Sequence, residues 1–158
     1  MTLMYKTLTD LRDVIKEFEG FLARPTLRLH HPTLYRKGSA GQDEVIIKGV
    51  RKKDFLFSAD EKWILPHDQM GLSFSADWQH LKSAFKMKES RNPGKQINVY
   101  FTLEKSDIPA GLAFVVDNTN KRHYLLTVTE MMTVDRLVSK LKLLAHRMSV
   151  IKHAEKIL

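Results

Sequence analysis

The chain has no cysteine among its 158 residues, which excludes disulfide staples, cysteine-based zinc sites and thiol nucleophiles together. It also lacks a Gly-x-x-x-x-Gly-Lys-Ser/Thr loop and a Gly-x-Ser-x-Gly elbow, the signatures of nucleoside triphosphatases and serine hydrolases. Seven histidines are present, but none stands in a helical His-x3-His or a His-Glu-x-x-His pattern. The side chains of the adjacent pair His30-His31 would point to opposite sides of an extended segment, so no metal site is expected. No apolar run approaches the ~20 residues of a spanning helix. The opening Met1-Thr2-Leu3-Met4-Tyr5-Lys6 shows neither a basic lead before an apolar stretch nor a small-residue cleavage site. The expectation is a cytoplasmic chain with no membrane partner, although export without a cleaved leader would leave the same sequence.

What is present reads as one globular domain over residues 1–158, with a first helix in 1–25 and a core over 33–158. Hydrophobic residues make up 43% and charged residues 28%, too apolar for a disordered chain. The 26 basic and 18 acidic residues give a net charge of +8. Such a surplus favours nucleic acid, phosphate-bearing cofactors or anionic surfaces as partners, and a merely solvated basic face accounts for it equally well.

Leu8, Leu11, Ile15, Phe18 and Leu22 line one helical face over residues 8–23, and Pro25 is the expected stop. Short β-like runs follow: Thr33–Arg36, Val45–Lys48, a less regular stretch from Phe55 to Leu65, and Gly71–Ser75. Asp77 caps a predicted helix from Trp78 to Met87. Asn-Pro-Gly within 89–96 marks an exposed loop. Ile97, Val99, Phe101 and Leu103 alternate with Asn98, Tyr100 and Thr102, the period-two pattern of a half-buried strand. Leu112–Val116 and His123–Val128 read as two further strands, with Asp117-Asn118-Thr119-Asn120 as the hairpin turn between them. The spacing of Val134, Leu137, Leu141, Leu144, Met148 and Ile151 predicts a last helix from Val134 to His153, with Thr133 as N-cap.

The residues that could carry chemistry are dispersed. Arg36 closes the strand begun by Thr33-Leu34-Tyr35. Ser73 and Ser75 share one face of their strand and Phe74 points to the other, so the strand can bury Phe74 while offering two hydroxyls to a cleft. His123 opens an apolar strand and has the side chain best suited to proton transfer near neutrality. Glu104, Asp107, Glu130 and Asp117 are the acidic candidates, Asp117 reading first as a turn former.

In order, Thr33-Leu34-Tyr35-Arg36, Gly71-Leu72-Ser73-Phe74-Ser75, Asp107-Ile108-Pro109-Ala110-Gly111-Leu112, and His123-Tyr124 followed by Met132 resemble a known family. They are similar to the small type VI secretion effector toxins with an ADP-ribosyltransferase-like fold and, more distantly, to the NAD-using ADP-ribosyltransferase toxins. The likeness covers roughly residues 33–141 and leaves the first helix unmatched. It implies an α+β fold with a split, mixed or antiparallel sheet flanked by N-terminal, central and C-terminal helices. It also implies NAD as cofactor, held by Arg36 with Tyr35, Ser73, Phe74 and Ser75, and catalysis by His123 and Ser73. The family's late catalytic glutamate pair has no match, since Glu17/Glu19 and Gln42/Glu44 come too early; Glu130, or else Glu104, is the substitute.

These roles are chemically coherent. A guanidinium holds a pyrophosphate bidentately. Hydroxyls and an imidazole orient ribose and nicotinamide amide, and Tyr35, Phe74 or Tyr124 would stack on the nicotinamide. Bases at Lys82, Lys86, Lys88, Arg91 and Lys95 make RNA or DNA a credible acceptor beside protein. The resemblance further implies an acidic antitoxin or immunity protein as partner. Two other readings remain: a metal-independent ribonuclease toxin using His123 with His31, and a nucleic-acid-binding module without catalysis.

Overall fold

A computed structural model of the chain describes residues 3–27, 46–103 and 108–154. In chain order they form β1 (Leu3–Tyr5), α1 (Leu8–Ile15), β2 (Phe21–Leu27), β3 (Ile46–Ile47), β4 (Val50–Arg51), β5 (Leu56–Phe57) and β6 (Trp63–Leu65). Then come β7 (Leu72–Ser75), α2 (Trp78–Arg91), β8 (Ile97–Leu103), β9 (Leu112–Asp117), β10 (Asn120–Val128), β11 (Met132–Thr133), α3 (Val134–Arg147) and β12 (Ser149–His153). The fold is α+β as expected, with mostly antiparallel strands. It resolves into two compact units: Met1–Pro32 with Phe74–Ser106 and Met148–Leu158, and Thr33–Ser73 with Asp107–Arg147. The expected strand Thr33–Arg36, the His30-His31 pair, Gln42/Glu44, Glu104 and Asp107 lie outside the described residues.

In the first unit the strands run β1-β12-β8-β2 and on to the Phe74–Ser75 end of β7. β8 is antiparallel to β2 from Phe21↔Leu103 to Leu27↔Ile97 and antiparallel to β12 at Ile151↔Val99. β1 runs parallel to β12. Alternation sends Phe21, Ala23, Val99, Phe101 and Ile151 to one face, where they form a core with Leu11 and Ile15 of α1 and Trp78, Leu81 and Phe85 of α2. Tyr5 joins that core and donates its hydroxyl to the Ile97 carbonyl. Burial, helped by the nearby Glu89 charge, pushes the phenol far above its usual range.

Two elements depart from the periodicity reading. The stripe predicted as one helix over 8–23 is helix only to Ile15. α1 begins with a capping box, in which Thr7 Oγ1 accepts the Asp10 N–H at 3.1 Å and Asp10 Oδ2 accepts the Thr7 N–H at 3.2 Å. After it Gly20, at φ 67°, turns the chain into β2, with Leu22 buried on the strand. Pro25 therefore sits inside a strand rather than stopping a helix. Similarly, the helix expected to reach His153 ends at Arg147, and residues 149–153 fill the slot between β1 and β8. In both cases strand pairing outweighs a helical stripe that reads well on its own.

The other helix expectations hold with small changes. Asp77 Oδ1 accepts the His80 N–H at 2.9 Å as the N-cap of α2, which runs on to Arg91. Thr133 Oγ1 accepts the Arg136 N–H at 3.2 Å at the start of α3. β8 is buried on both faces over Ile97–Thr102 rather than half-buried.

The second unit holds the β9–β10 hairpin, the three-stranded β11-β6-β5 sheet, the β3–β4 pair and α3. Its fully buried side chains include Ile64, Leu126, Leu137, Leu141 and Leu144. The chain enters β7 beside β10, at a point where a Cβ on Gly71 would lie 2.4 Å from the Leu126 carbonyl oxygen. No side chain fits there without moving backbone. Gly71→Ala is therefore expected to cost about 1–3 kcal/mol, read as a lower midpoint in urea unfolding. An unchanged midpoint would show that β7 and β10 are not this close.

Candidate functional site

The β9–β10 hairpin fixes a histidine on a carboxylate. Its strands pair regularly from Val128↔Leu112 to Tyr124↔Val116, and the register then shifts before Asn120↔Asp117. His123 falls in that irregularity, where a bulge re-aims a side chain. Its Nδ1 lies 2.8 Å from Asp117 Oδ2, both side chains being mostly buried. Since a carboxylate only accepts, Nδ1 carries the proton, and in the neutral ring Nε2 holds the lone pair.

Asp117 is held in turn by the residues that make the turn. Its Oδ1 accepts the Thr119 N–H at 2.8 Å and the Thr119 hydroxyl at 2.7 Å. The turn-former reading of Asp117 is thus half of its role: one oxygen closes the turn and the other orients the imidazole. Gln69 braces the same turn, accepting the Asn118 N–H at 3.0 Å. The exposed bases Lys121 and Arg122 precede His123 on β10, placing positive charge in sequence next to the ring.

The remaining expected site residues separate. Ser73 is exposed in β7, on the strand next to the one that carries His123. Ser75 is 2% exposed, and its hydroxyl lies 2.6 Å from His80 Nδ1. It anchors the entry to α2 and does not present a hydroxyl to a cleft. Phe74 is 1% exposed, with the Arg24 guanidinium 5.9 Å from its ring centroid. It packs the interior, so stacking on a nicotinamide is not open to it. Glu130 lies beyond the other end of β10, five strand steps or ~16 Å from His123 to Val128 alone. There its Oε1 lies against Gly111 with the Lys140 amine, so it cannot act on the same atom as His123. Arg36 and Tyr35 lie outside the described residues. His80 and Gln69 escaped sequence reasoning because their partners are set by strand and turn placement, not by motif. Among the described residues no group of three metal-binding side chains occurs, and no helix is long and apolar enough to cross a membrane.

No family model, curated protein or solved structure matches this chain.

The hydrogen bond from His123, followed by those from Thr119, lowers the Asp117 carboxyl to about 2, against ~3.9 when unfolded. A carboxyl depressed in the folded state stabilises the hairpin fully above the unfolded value and loses that contribution as pH falls through about 2. Carboxyl-detected NMR titration should give a midpoint near that value. In His123→Ala the midpoint should rise part of the way toward ~3.9, because the Thr119 bonds remain. A wild-type midpoint near 4 would show that the pair does not form.

Proposed function

We propose that the chain is a toxin-type ADP-ribosyltransferase, with an ADP-ribosyltransferase-like fold, that transfers ADP-ribose from NAD to a macromolecular acceptor. The observation that supports it is a coincidence of two independent readings. The histidine that the ordered motifs single out is the imidazole that a bulged hairpin holds on a carboxylate at 2.8 Å.

In this reading the bond from ribose C1′ to the nicotinamide nitrogen breaks, and nicotinamide leaves with the electron pair. A nucleophilic atom of the acceptor bonds to C1′ and gives its proton to His123 Nε2. Asp117 stabilises the imidazolium as it forms and fixes the tautomer able to take that proton. Ser73 orients the ribose or the nicotinamide amide from the neighbouring strand, Arg36 holds the pyrophosphate, and Tyr35 stacks on the ring. Ser75, Phe74 and Glu130 have no part in it. The net charge of +8 suits an RNA or DNA acceptor, and an acidic antitoxin or immunity protein as inhibitor, in the cytoplasm of the producing or target bacterial cell.

Incubation with labelled NAD and bacterial lysate should transfer label to a macromolecule. His123→Ala and Asp117→Asn are expected to reduce transfer by about 10²-fold or more, Arg36→Ala chiefly by raising KM for NAD, and Lys88→Ala little. Absence of both transfer and NAD loss at high protein concentration defeats the proposal. An imidazole poised in this way is also apt as the general base for an RNA 2′-hydroxyl. RNA cleavage without NAD, abolished by His123→Ala, would establish the ribonuclease reading instead.

A further inference from the structure

Helix α2 gives only one side to the core. Trp78, Leu81 and Phe85 are buried in the first unit, and at ~100° per residue the opposite side carries Ser83, Met87 and Ser90 with Gln79 beside them. All four are exposed, Met87 to 53%, and this crest is uncharged. Lys82 and Lys86 lie one turn apart along one flank and Arg91 stands on the other, with Lys95 in the turn that follows. Among the described residues these cations make no ion pair. The one carboxylate within the helix, Glu89, acts on the Tyr5 phenol and so lies toward the core side. A merely solvated helix face mixes charges of both signs, as α1 does at Arg12–Asp13, 3.2 Å apart.

Cationic flanks around a neutral crest match a groove with a charged wall on either side. The major groove of B-DNA, ~12 Å wide, admits one α-helix, ~10–12 Å across with its side chains. Flanking cations then meet phosphates, and the crest meets base edges. The Ser83 and Ser90 hydroxyls donate back to the Gln79 and Met87 carbonyls at 3.2 and 2.9 Å, which leaves their oxygens as acceptors for base amino groups. Gln79 suits an adenine edge, and Met87 offers apolar surface to a thymine methyl. The major groove of A-form RNA is too narrow for a helix. A membrane surface would take an apolar sector, and that of α2 is buried in the core.

We propose that α2 docks in the major groove of duplex DNA, with Lys82, Lys86 and Arg91 on the phosphate walls and Gln79, Ser83 and Met87 at the base edges. The assignment rests on the reading of the acceptor as a nucleic acid and selects duplex DNA within that class.

The test is fluorescence anisotropy of a labelled DNA duplex, without NAD, between ~50 and ~200 mM salt. Wild type should bind, with affinity falling steeply as salt rises. The double variant Lys82→Gln with Lys86→Gln should lower the slope of log affinity against log salt by about 2, and Arg91→Gln by about 1. Glutamine is a good helix former, and circular dichroism checks that each variant keeps its fold. Lys53→Gln with Lys62→Gln removes the same charge from exposed positions of the second unit and should bind as wild type does. A duplex whose cytosines carry bulky glucosyl groups in the major groove should bind about tenfold more weakly. Equal losses in the two double variants would reduce the effect to net charge and overturn the site. So would no binding at low salt, unchanged binding of the glucosylated duplex, or tighter binding to single-stranded DNA, double-stranded RNA, polyglutamate or phosphatidylglycerol vesicles. Duplex binding without label transfer from NAD defeats the activity alone, and label transfer without duplex binding overturns the docking alone.

Discussion

Backbone hydrogen bonding along β8 is the constraint on which the first unit depends. Six consecutive residues, Ile97 to Thr102, are buried, so the peptide groups of this strand have little water to turn to and need strands on both edges. One edge is supplied by Phe21–Leu27 and the other by Ser149–His153, segments more than 120 residues apart. Each is taken from the end of a stretch that reads as helix. Such long-range pairing forms late and slowly relative to local helix, yet it decides the fold because an unpaired buried strand costs more than a helical turn returns.

This also explains which parts of the structure were legible in the residues themselves. α2 and the start of α3 were legible because their caps are local: Asp77 and Thr133 accept N–H groups three residues on. The hairpin was legible from turn chemistry at Asp117–Asn120 and from the apolar runs either side. The true end of α1 and the strand at 149–153 were not, since Leu22 and Ile151 satisfy a helical stripe and a strand slot equally well. Only the partner strand distinguishes the two. The site was legible in its histidine and not in its geometry. His123 could be named from the strand it opens, whereas the role of Asp117 depends on a register shift that no spacing rule reveals. Ser75 illustrates the opposite error, for a hydroxyl that alternates with a buried phenylalanine is bonded to the imidazole of the following helix.

The hairpin site and the sheet of the first unit differ in how the fold holds their groups. On the hairpin, order comes from a chain of charge-assisted and turn hydrogen bonds from Thr119 through Asp117 to His123. The imidazole is held as a proton carrier whose orientation is set before any ligand arrives. In the sheet of the first unit, order comes from the strand register, which sets Asn98, Tyr100 and Thr102 on one side of β8 and Ile97, Val99 and Phe101 on the other. A constellation of the first kind suits chemistry at one atom; the second kind serves packing.

The charge surplus can be placed more narrowly than net charge allows. With 26 bases and 18 acids, complete one-to-one pairing would still leave eight cations over, so the question is where acids are already committed. Asp10 and Asp77 cap helices, Asp117 closes a turn, Asp54 pairs with Arg51 at 2.9 Å, Glu61 with Lys52 at 3.0 Å, and Asp135 with Lys48 at 3.6 Å. These acids thus serve helix ends, a turn and the small strands of the second unit. An exposed pair such as Lys48–Asp135 adds little stability, yet each such contact engages a carboxylate, and in the β9–β10 hairpin that carries the exposed bases Lys121 and Arg122 the carboxylate so engaged is Asp117. What matters for an anionic ligand is therefore less the total of +8 than where the acids are already engaged: Asp117 gives one oxygen to Thr119 and the other to His123.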